Sequence, residues 1–140
     1  MYKAFKNFVI GSGGVILIMT LPFYSFIDNV NIEGEWIAPT EANKIKNPMV
    51  GNTAATLEGK KLFAAMCEIC HGKKGKGDGL AGINLKPRPT NLLSSAVQQQ
   101  TDGAIYWKIT EGRSPMASYK TALNEEQRWQ LVNYIRELSK

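Results

Sequence analysis

Two cysteines and one histidine are present in the 140-residue chain, and all three fall within five consecutive positions. Cys67-Glu-Ile-Cys70-His71 has the C-x-x-C-H spacing of c-type haem attachment. Two thiols on one helical turn can each add to a haem vinyl group, and the next side chain then presents its imidazole to the iron. The pattern predicts one haem c, bound covalently through Cys67 and Cys70, with His71 as an iron ligand.

Other chemistry for this cluster is disfavoured by the residues around it. A structural zinc site needs four ligands, and the chain has only three Cys and His residues in all. A thioredoxin-like redox pair would need a βαβ context, whereas the sequence flanking Cys67 and Cys70 is rich in glycine and helical in pattern.

The second axial ligand must be a methionine if the iron is six-coordinate, because no other histidine exists. Met116 is the best candidate, since it lies in an irregular Gly-Arg-Ser-Pro-Met loop between two predicted helices. The other methionines lie in the hydrophobic start, in an irregular segment or beside the thiols (Met1, Met19, Met49 and Met66). Ligation by His and Met closes the iron and suits electron transfer. In the alternative, Met116 only fills a packing gap, and an open iron would serve a sensor or a peroxidase-like enzyme.

Helices are expected on both sides of these ligands. The first begins at Thr56, buries a face that includes Leu62, Met66 and Ile69, and ends at the haem motif. Residues 72–97 are rich in Gly, Pro and Asn and predict a long loop with at most a short helix.

Two further helices are expected in the second half of the chain. One begins at Thr101 or Asp102 and stops at Gly112. The last begins at Asn124 with Gln127 three positions later, an arrangement typical of a capping box.

The start of the chain is hydrophobic. Lys3 and Lys6 precede residues 8–27, which carry no charge and would span about 30 Å as a helix. The positive residues lie only on the N-terminal side, which predicts that residues after 28 are extracytoplasmic, on the periplasmic side. An uncleaved transmembrane anchor over residues 1–27 is favoured, and a cleaved signal peptide that releases a soluble periplasmic protein is the alternative.

Residues 28–56 are expected to form a tether, because they show no sustained helical or strand period. Trp36 and Ile37 could rest on the following domain or at the lipid headgroups, and the sequence does not decide between the two.

Residues 57–140 resemble a class I c-type cytochrome domain. The resemblance consists of Gly59-Lys-Lys-Leu-Phe, the C-x-x-C-H-Gly motif, Gly-x-Gly-Asp-Gly at 75–79, Pro-Arg-Pro at 87–89, the loop that carries Met116, and a closing aromatic helix. It implies an all-α fold around one covalent haem, with the first and last helices crossing near Gly59, and with His71 and Met116 as proximal and distal ligands.

The resemblance also implies residues that support the haem. In such domains a proline carbonyl accepts the ring N–H of the ligand histidine, and both Pro87 and Pro89 fit that role here. Arg88 either pairs with a haem propionate or is a solvated charge.

The charge of the chain points to a protein partner. The net charge is +5, and residues 57–140 hold 13 Lys and Arg against 8 Asp and Glu. A basic group follows the haem motif and would steer an acidic redox partner toward the domain (Lys73, Lys74, Lys76, Lys86 and Arg88). Nucleic acid is disfavoured by the expected location and by the lack of a basic recognition helix. We therefore expect a respiratory electron carrier, not itself an enzyme, that is either free or a subunit of a complex.

Overall fold

The computed structural model describes residues 35–140. Its helices are α1 (Thr40–Lys44), α2 (Thr53–Met66), α3 (Glu68–His71), α4 (Ser95–Gln98), α5 (Asp102–Glu111) and α6 (Glu125–Glu137). This part of the chain has helices and no strand, so the expectation of an all-α domain is confirmed for it.

The predicted hydrophobic helix over residues 8–27 lies outside the described residues. Between residues 35 and 140, no helix is both long and apolar enough to cross a membrane.

The central contact of the fold is the crossing of α2 and α6. A Cβ atom at Gly59 would collide with the backbone carbonyl oxygen of Gln130, so only glycine lets the two helices approach this closely. One turn later Phe63 is 2% exposed, and its ring lies 5.3 Å from the ring of Tyr134. The crossing near Gly59 that the family resemblance implies is therefore present.

The helix boundaries expected in the second half of the chain are confirmed. The Asn124 side chain accepts the backbone N–H of Gln127 at 2.8 Å, and the Gln127 side chain accepts that of Asn124 at 2.9 Å, which completes a capping box. The Thr101 hydroxyl caps α5 by accepting the N–H of Ala104, and α5 stops before Gly112, whose φ is 66°. The region 72–97 contains only the short helix α4, as predicted.

The first predicted helix begins earlier than expected. Its N-cap is Asn52, whose side chain accepts the N–H of Ala55 at 3.0 Å. Thr56, the predicted start, lies inside α2, and its hydroxyl donates back to the Asn52 carbonyl at 3.1 Å. Two residues with capping side chains lie four positions apart, and the structure uses the first.

The expected tether over residues 28–56 is wrong for the part that the structure describes. Residues 35–52, which we call the strap, belong to the same compact unit as the rest of the domain. Ala38 and Ala42 are buried against Ala104 of α5. A Cβ atom at Gly103 would collide with the carbonyl oxygen of Ala42, so this glycine admits the strap backbone.

A hydrogen-bond network also fixes the strap to α5 and α6. The Asn47 amide donates to Asp102 and to Asn133, both at 2.8 Å, and the Asn133 amide donates to the Met49 carbonyl at 2.6 Å. Asp102 also pairs with Arg136 at 2.8 Å. These bonds join residues that are far apart in the sequence. The spacing of hydrophobic residues within 28–56 therefore does not reveal them.

Replacing Gly59 by Ala should destabilise the protein. At an exposed helical site this change gains about 1 kcal/mol of helix propensity, but here the new methyl group meets a backbone carbonyl that cannot rotate away. Overpacking of this kind costs about 1–3 kcal/mol. Denaturant unfolding of the holoprotein should show a lower free energy of unfolding for Gly59→Ala. The adjacent exposed variant Lys60→Ala should change it by less than about 0.5 kcal/mol, and equal stability of the two variants would contradict the role of the crossing.

Candidate functional site

The two thiols and the imidazole lie on one short helical turn at the end of α2. The backbone N–H of Cys67 still bonds to Phe63 in α2, at 2.9 Å. The Cys67 carbonyl then accepts the N–H of His71 at 2.8 Å and that of Cys70 at 3.2 Å, which starts α3. Both thiols are free and half-buried. The α2–α6 crossing therefore places all three side chains at one end of the domain.

The segment after His71 folds back onto α3. The carbonyls of His71 and Cys70 accept the N–H groups of Gly77 at 2.8 Å and Gly79 at 3.2 Å. This packing leaves Ile69, between the two cysteines, 59% exposed. The expectation that Ile69 belongs to the buried face is wrong, because the helix that carries it is a separate short turn and does not continue the face of α2.

The ring of His71 is oriented by a backbone carbonyl. Its Nδ1 lies 3.2 Å from the carbonyl oxygen of Thr90, and since a carbonyl can only accept, Nδ1 carries the proton. Burial lowers the pKa of His71, and the bond to Thr90 opposes this shift only in part. The imidazole is therefore neutral, and the Nε2 lone pair is available to a metal.

The acceptor is Thr90 rather than Pro87 or Pro89, the two residues that the family resemblance implies. The carbonyl oxygen of Pro89 lies against Gly77, where an added Cβ atom would collide with it. It is therefore turned toward Gly77, and the next carbonyl along the chain faces the histidine ring.

Arg88 is exposed, and its Nε donates to the carbonyl of Ile83 at 3.1 Å. This bond braces the loop between the haem motif and Thr90. A pairing of Arg88 with a haem propionate stays a prediction.

Met116 lies on a tight turn between α5 and α6. Its backbone N–H donates to the Arg113 carbonyl at 2.8 Å, and its carbonyl accepts the Arg113 N–H at 3.0 Å. Gly112 begins the turn with a positive φ, and a Cβ atom there would collide with the backbone of residues 117 and 118. The turn is thus closed by its own backbone, and the Met116 side chain is half-buried.

The other described methionines are engaged elsewhere. Met49 and Met66 both pack against the main core of the domain, and their carbonyls accept bonds from Asn133 and Tyr119. This leaves Met116 as the most available thioether between residues 35 and 140.

Tyr119 connects the Met116 turn to the haem motif, a role that sequence reasoning missed. Its hydroxyl donates to the carbonyl of Met66, the residue before Cys67, at 3.0 Å, and its N–H donates to Ile109 at 3.1 Å. The hydroxyl bond joins positions 53 residues apart, so no local pattern predicts it.

The donor set fits a covalent haem. Burial, and then the neighbouring Cys70, raise the pKa of the Cys67 thiol to about 12, so this thiol is protonated at neutral pH. Within residues 35–140 no group of three or more His, Cys, Asp or Glu side chains is arranged to hold a metal ion. Two adjacent free thiols and one neutral, oriented imidazole match a cofactor that brings its own equatorial ligands, as a porphyrin does.

Comparison with protein families agrees with this geometry. The model of the family described as cytochrome c oxidase, cbb3-type, subunit III matches residues 54–135. The chain belongs to this family. It is therefore a c-type cytochrome, and membership of the family implies a covalently bound haem c.

A solved structure supports the fold of the cytochrome. A chain of the reducing HAO-like protein complex of Kuenenia stuttgartiensis matches with a TM-score of 0.56 and 24% sequence identity. The match covers 63% of the cytochrome and 45% of the other chain, so the cytochrome spans less than half of that relative. At this identity the likeness concerns the fold alone. Comparison with curated proteins finds no match.

The family match begins at residue 54, so the strap lies outside the matched residues.

Proposed function

We propose that the chain is a monohaem c-type cytochrome of class I that carries single electrons between respiratory partners. The observation that carries this proposal is the His71 ring: its Nδ1 is committed to the Thr90 carbonyl, beside two free thiols at the attachment spacing. A bound haem supplies an iron that can gain or lose one electron.

The residues of the chain divide the work of holding the haem. Cys67 and Cys70 would hold it through two thioether bonds. His71 would offer Nε2 to the iron, and the Thr90 carbonyl keeps the imidazole in one orientation and tautomer. Met116 would be the second protein ligand, carried on a turn that its own backbone bonds keep closed. Ligation by both His71 and Met116 would leave the iron no free position for a substrate, which favours a carrier over an enzyme.

Replacing Met116 by Ala should open the iron. The ferric methionine charge-transfer absorption should disappear, and the reduction potential should fall by a substantial fraction of the roughly 0.8 V range that axial ligands span. Carbon monoxide should bind the reduced variant much faster than the wild type. The control is Met49→Ala, which removes a methionine packed against the core and should leave the absorption in place.

A wild-type protein that lacks this absorption and binds carbon monoxide rapidly would contradict ligation by Met116. That result would favour a ligand-binding sensor or an enzyme with an open iron.

The exposed lysines after the haem motif are proposed to receive an acidic redox partner. Lys73, Lys74 and Lys76 are exposed, as are Lys86 and Arg88. Interactions between exposed charges are screened beyond about 10 Å at 0.1 M salt, so the effect of these side chains should depend on the salt concentration. Charges at a docking surface act mainly on the rate at which the two proteins associate.

Reversing the charge of Lys73 and Lys74 together, as Lys73→Glu with Lys74→Glu, should slow oxidation of the reduced protein by anionic ferricyanide. The same change should speed its oxidation by cationic tris(1,10-phenanthroline)cobalt(III), and both effects should shrink as salt is added. Stopped-flow absorbance measures each rate. The control pair, Lys44→Glu with Lys46→Glu on the strap, alters net charge equally, so equal rate changes in the two pairs would contradict a local docking surface.

The location of the cytochrome is proposed from the sequence of its first 27 residues. We infer that they anchor it to a membrane, with the haem domain on the periplasmic side, and that it acts there as a subunit of a larger respiratory complex or as a tethered carrier. The family description, which names an oxidase subunit, supports the first of these two roles.

The membrane anchor can be tested by washing membranes that contain the full-length protein with high salt and then with alkaline carbonate. The haem protein should stay in the membrane fraction through both washes and leave it only with detergent. Release by carbonate, together with a mature N-terminus near residue 28, would instead support a cleaved signal peptide.

A further inference from the structure

We propose that Trp36 is a positioning residue for the distal ligand, because it holds the Met116 turn in place through Arg113. The proposal rests on the proposed ligation of the iron by Met116. It concerns a residue outside the family match, on the strap that precedes residue 54.

Trp36 lies where the strap meets α5 and the Met116 turn. Its ring packs edge-on against Trp107 of α5, with ring centroids 6.3 Å apart and planes inclined by 60°. Its neighbour Ile37 is 72% exposed, so the strap turns one of these two side chains inward and the other outward. The sequence left open whether Trp36 rests on the domain or at the lipid headgroups. In the structure it rests on the domain.

Two cationic side chains converge on the same indole. The Arg113 guanidinium carbon is 5.2 Å from the centre of the Trp36 ring, and the Lys108 ammonium nitrogen is 5.7 Å from it. Both distances are within the range in which an aromatic face attracts a cation. The indole thus offsets part of the repulsion between the two like charges, and Lys108 also donates to the side-chain oxygen of Gln100.

The environment of Lys108 shows that these charges interact. Burial lowers the pKa of Lys108, the positive charge of Arg113 lowers it further, and Glu35 on the strap opposes the shift. The strap therefore contributes both an aromatic face and an acidic group beside this cationic pair.

Arg113 transmits the contact to Met116 through the backbone. The two residues exchange both of their backbone hydrogen bonds, at 2.8 and 3.0 Å, so they form the two ends of one turn. Tyr119 fixes the chain after the turn to Met66. Trp36 and Tyr119 therefore contact the two ends of the segment that carries Met116, Trp36 through Arg113 and Tyr119 three residues after Met116.

The strap itself is anchored independently of Trp36. Asn47 binds Asp102 and Asn133, and Ala42 packs on α5. A change at Trp36 can therefore loosen the Met116 turn while the strap stays attached, which makes the role of the indole separable from that of the strap.

The test uses the full-length holoprotein with Trp36→Leu, which keeps an apolar contact for Trp107 and removes the face that binds the cations. We expect the ferric methionine charge-transfer absorption to weaken and carbon monoxide to bind the reduced variant several-fold faster than the wild type. Trp36→Phe, which restores an aromatic face, should recover most of both signals. Ile37→Ala, on the exposed neighbour, should behave as the wild type.

A double-mutant cycle with Arg113→Gln tests whether Trp36 acts on Met116 through Arg113. The Arg113→Gln variant alone removes the same cation–π contact by changing its other partner. If Trp36 acts through Arg113, the double variant should be no more affected than Arg113→Gln alone. Wild-type behaviour of Trp36→Leu, equal losses in the Leu and Phe variants, or additive effects in the cycle would each overturn the proposal.

These outcomes are distinct from failure of the proposed ligation. In that case the wild type would lack the absorption, and Met116→Ala would leave its spectrum unchanged.

Discussion

The close crossing of α2 and α6 is the constraint on which the rest of the structure depends. Because Gly59 has no side chain, the backbone of α2 rests directly on the Gln130 carbonyl, and Phe63 one turn later enters the core. The end of α2 is thereby fixed in position, and the end of α2 is where Cys67 begins the haem motif. A rigid contact between two long helices thus positions a short helix of four residues that could not hold its own geometry.

The distal side of the site is built differently. The residue proposed as its ligand, Met116, lies on a turn and not on a helix, so its position depends on the contacts that surround the turn. Three contacts hold it: the backbone bonds to Arg113, the hydroxyl bond from Tyr119 to Met66, and the cation–π contact of Arg113 with Trp36. The first and the last share Arg113, and the partners Trp36 and Met66 come from different parts of the chain. A turn held in this way can keep a weak axial ligand in place without being part of the hydrophobic core.

The strap adds contacts to the domain from residues outside the family match. Ala38 and Ala42 of the strap pack against Ala104 and Gly103 of α5, and Asn47 joins the strap to both α5 and α6. The spacing of hydrophobic residues in the sequence does not reveal such an interface, because alanine and glycine add little to that pattern. The strap begins beside the Met116 turn, where Trp36 contacts Arg113.

The sequence by itself determined the attachment motif, the cap of α6 and the limits of α5, because each depends on residues a few positions apart, and the family resemblance implied the all-α class. The thiols, the imidazole and the capping box are local chemistry and can be found by spacing alone. Only the tertiary structure decided that Thr90 rather than a proline orients His71, that Tyr119 braces the Met116 turn, and that residues 35–52 are folded. The hydrogen bond between His71 and Thr90 joins positions 19 residues apart, and the bond between Tyr119 and Met66 joins positions 53 residues apart. Which carbonyl faces a ring depends on how the whole chain packs, and no local pattern encodes it.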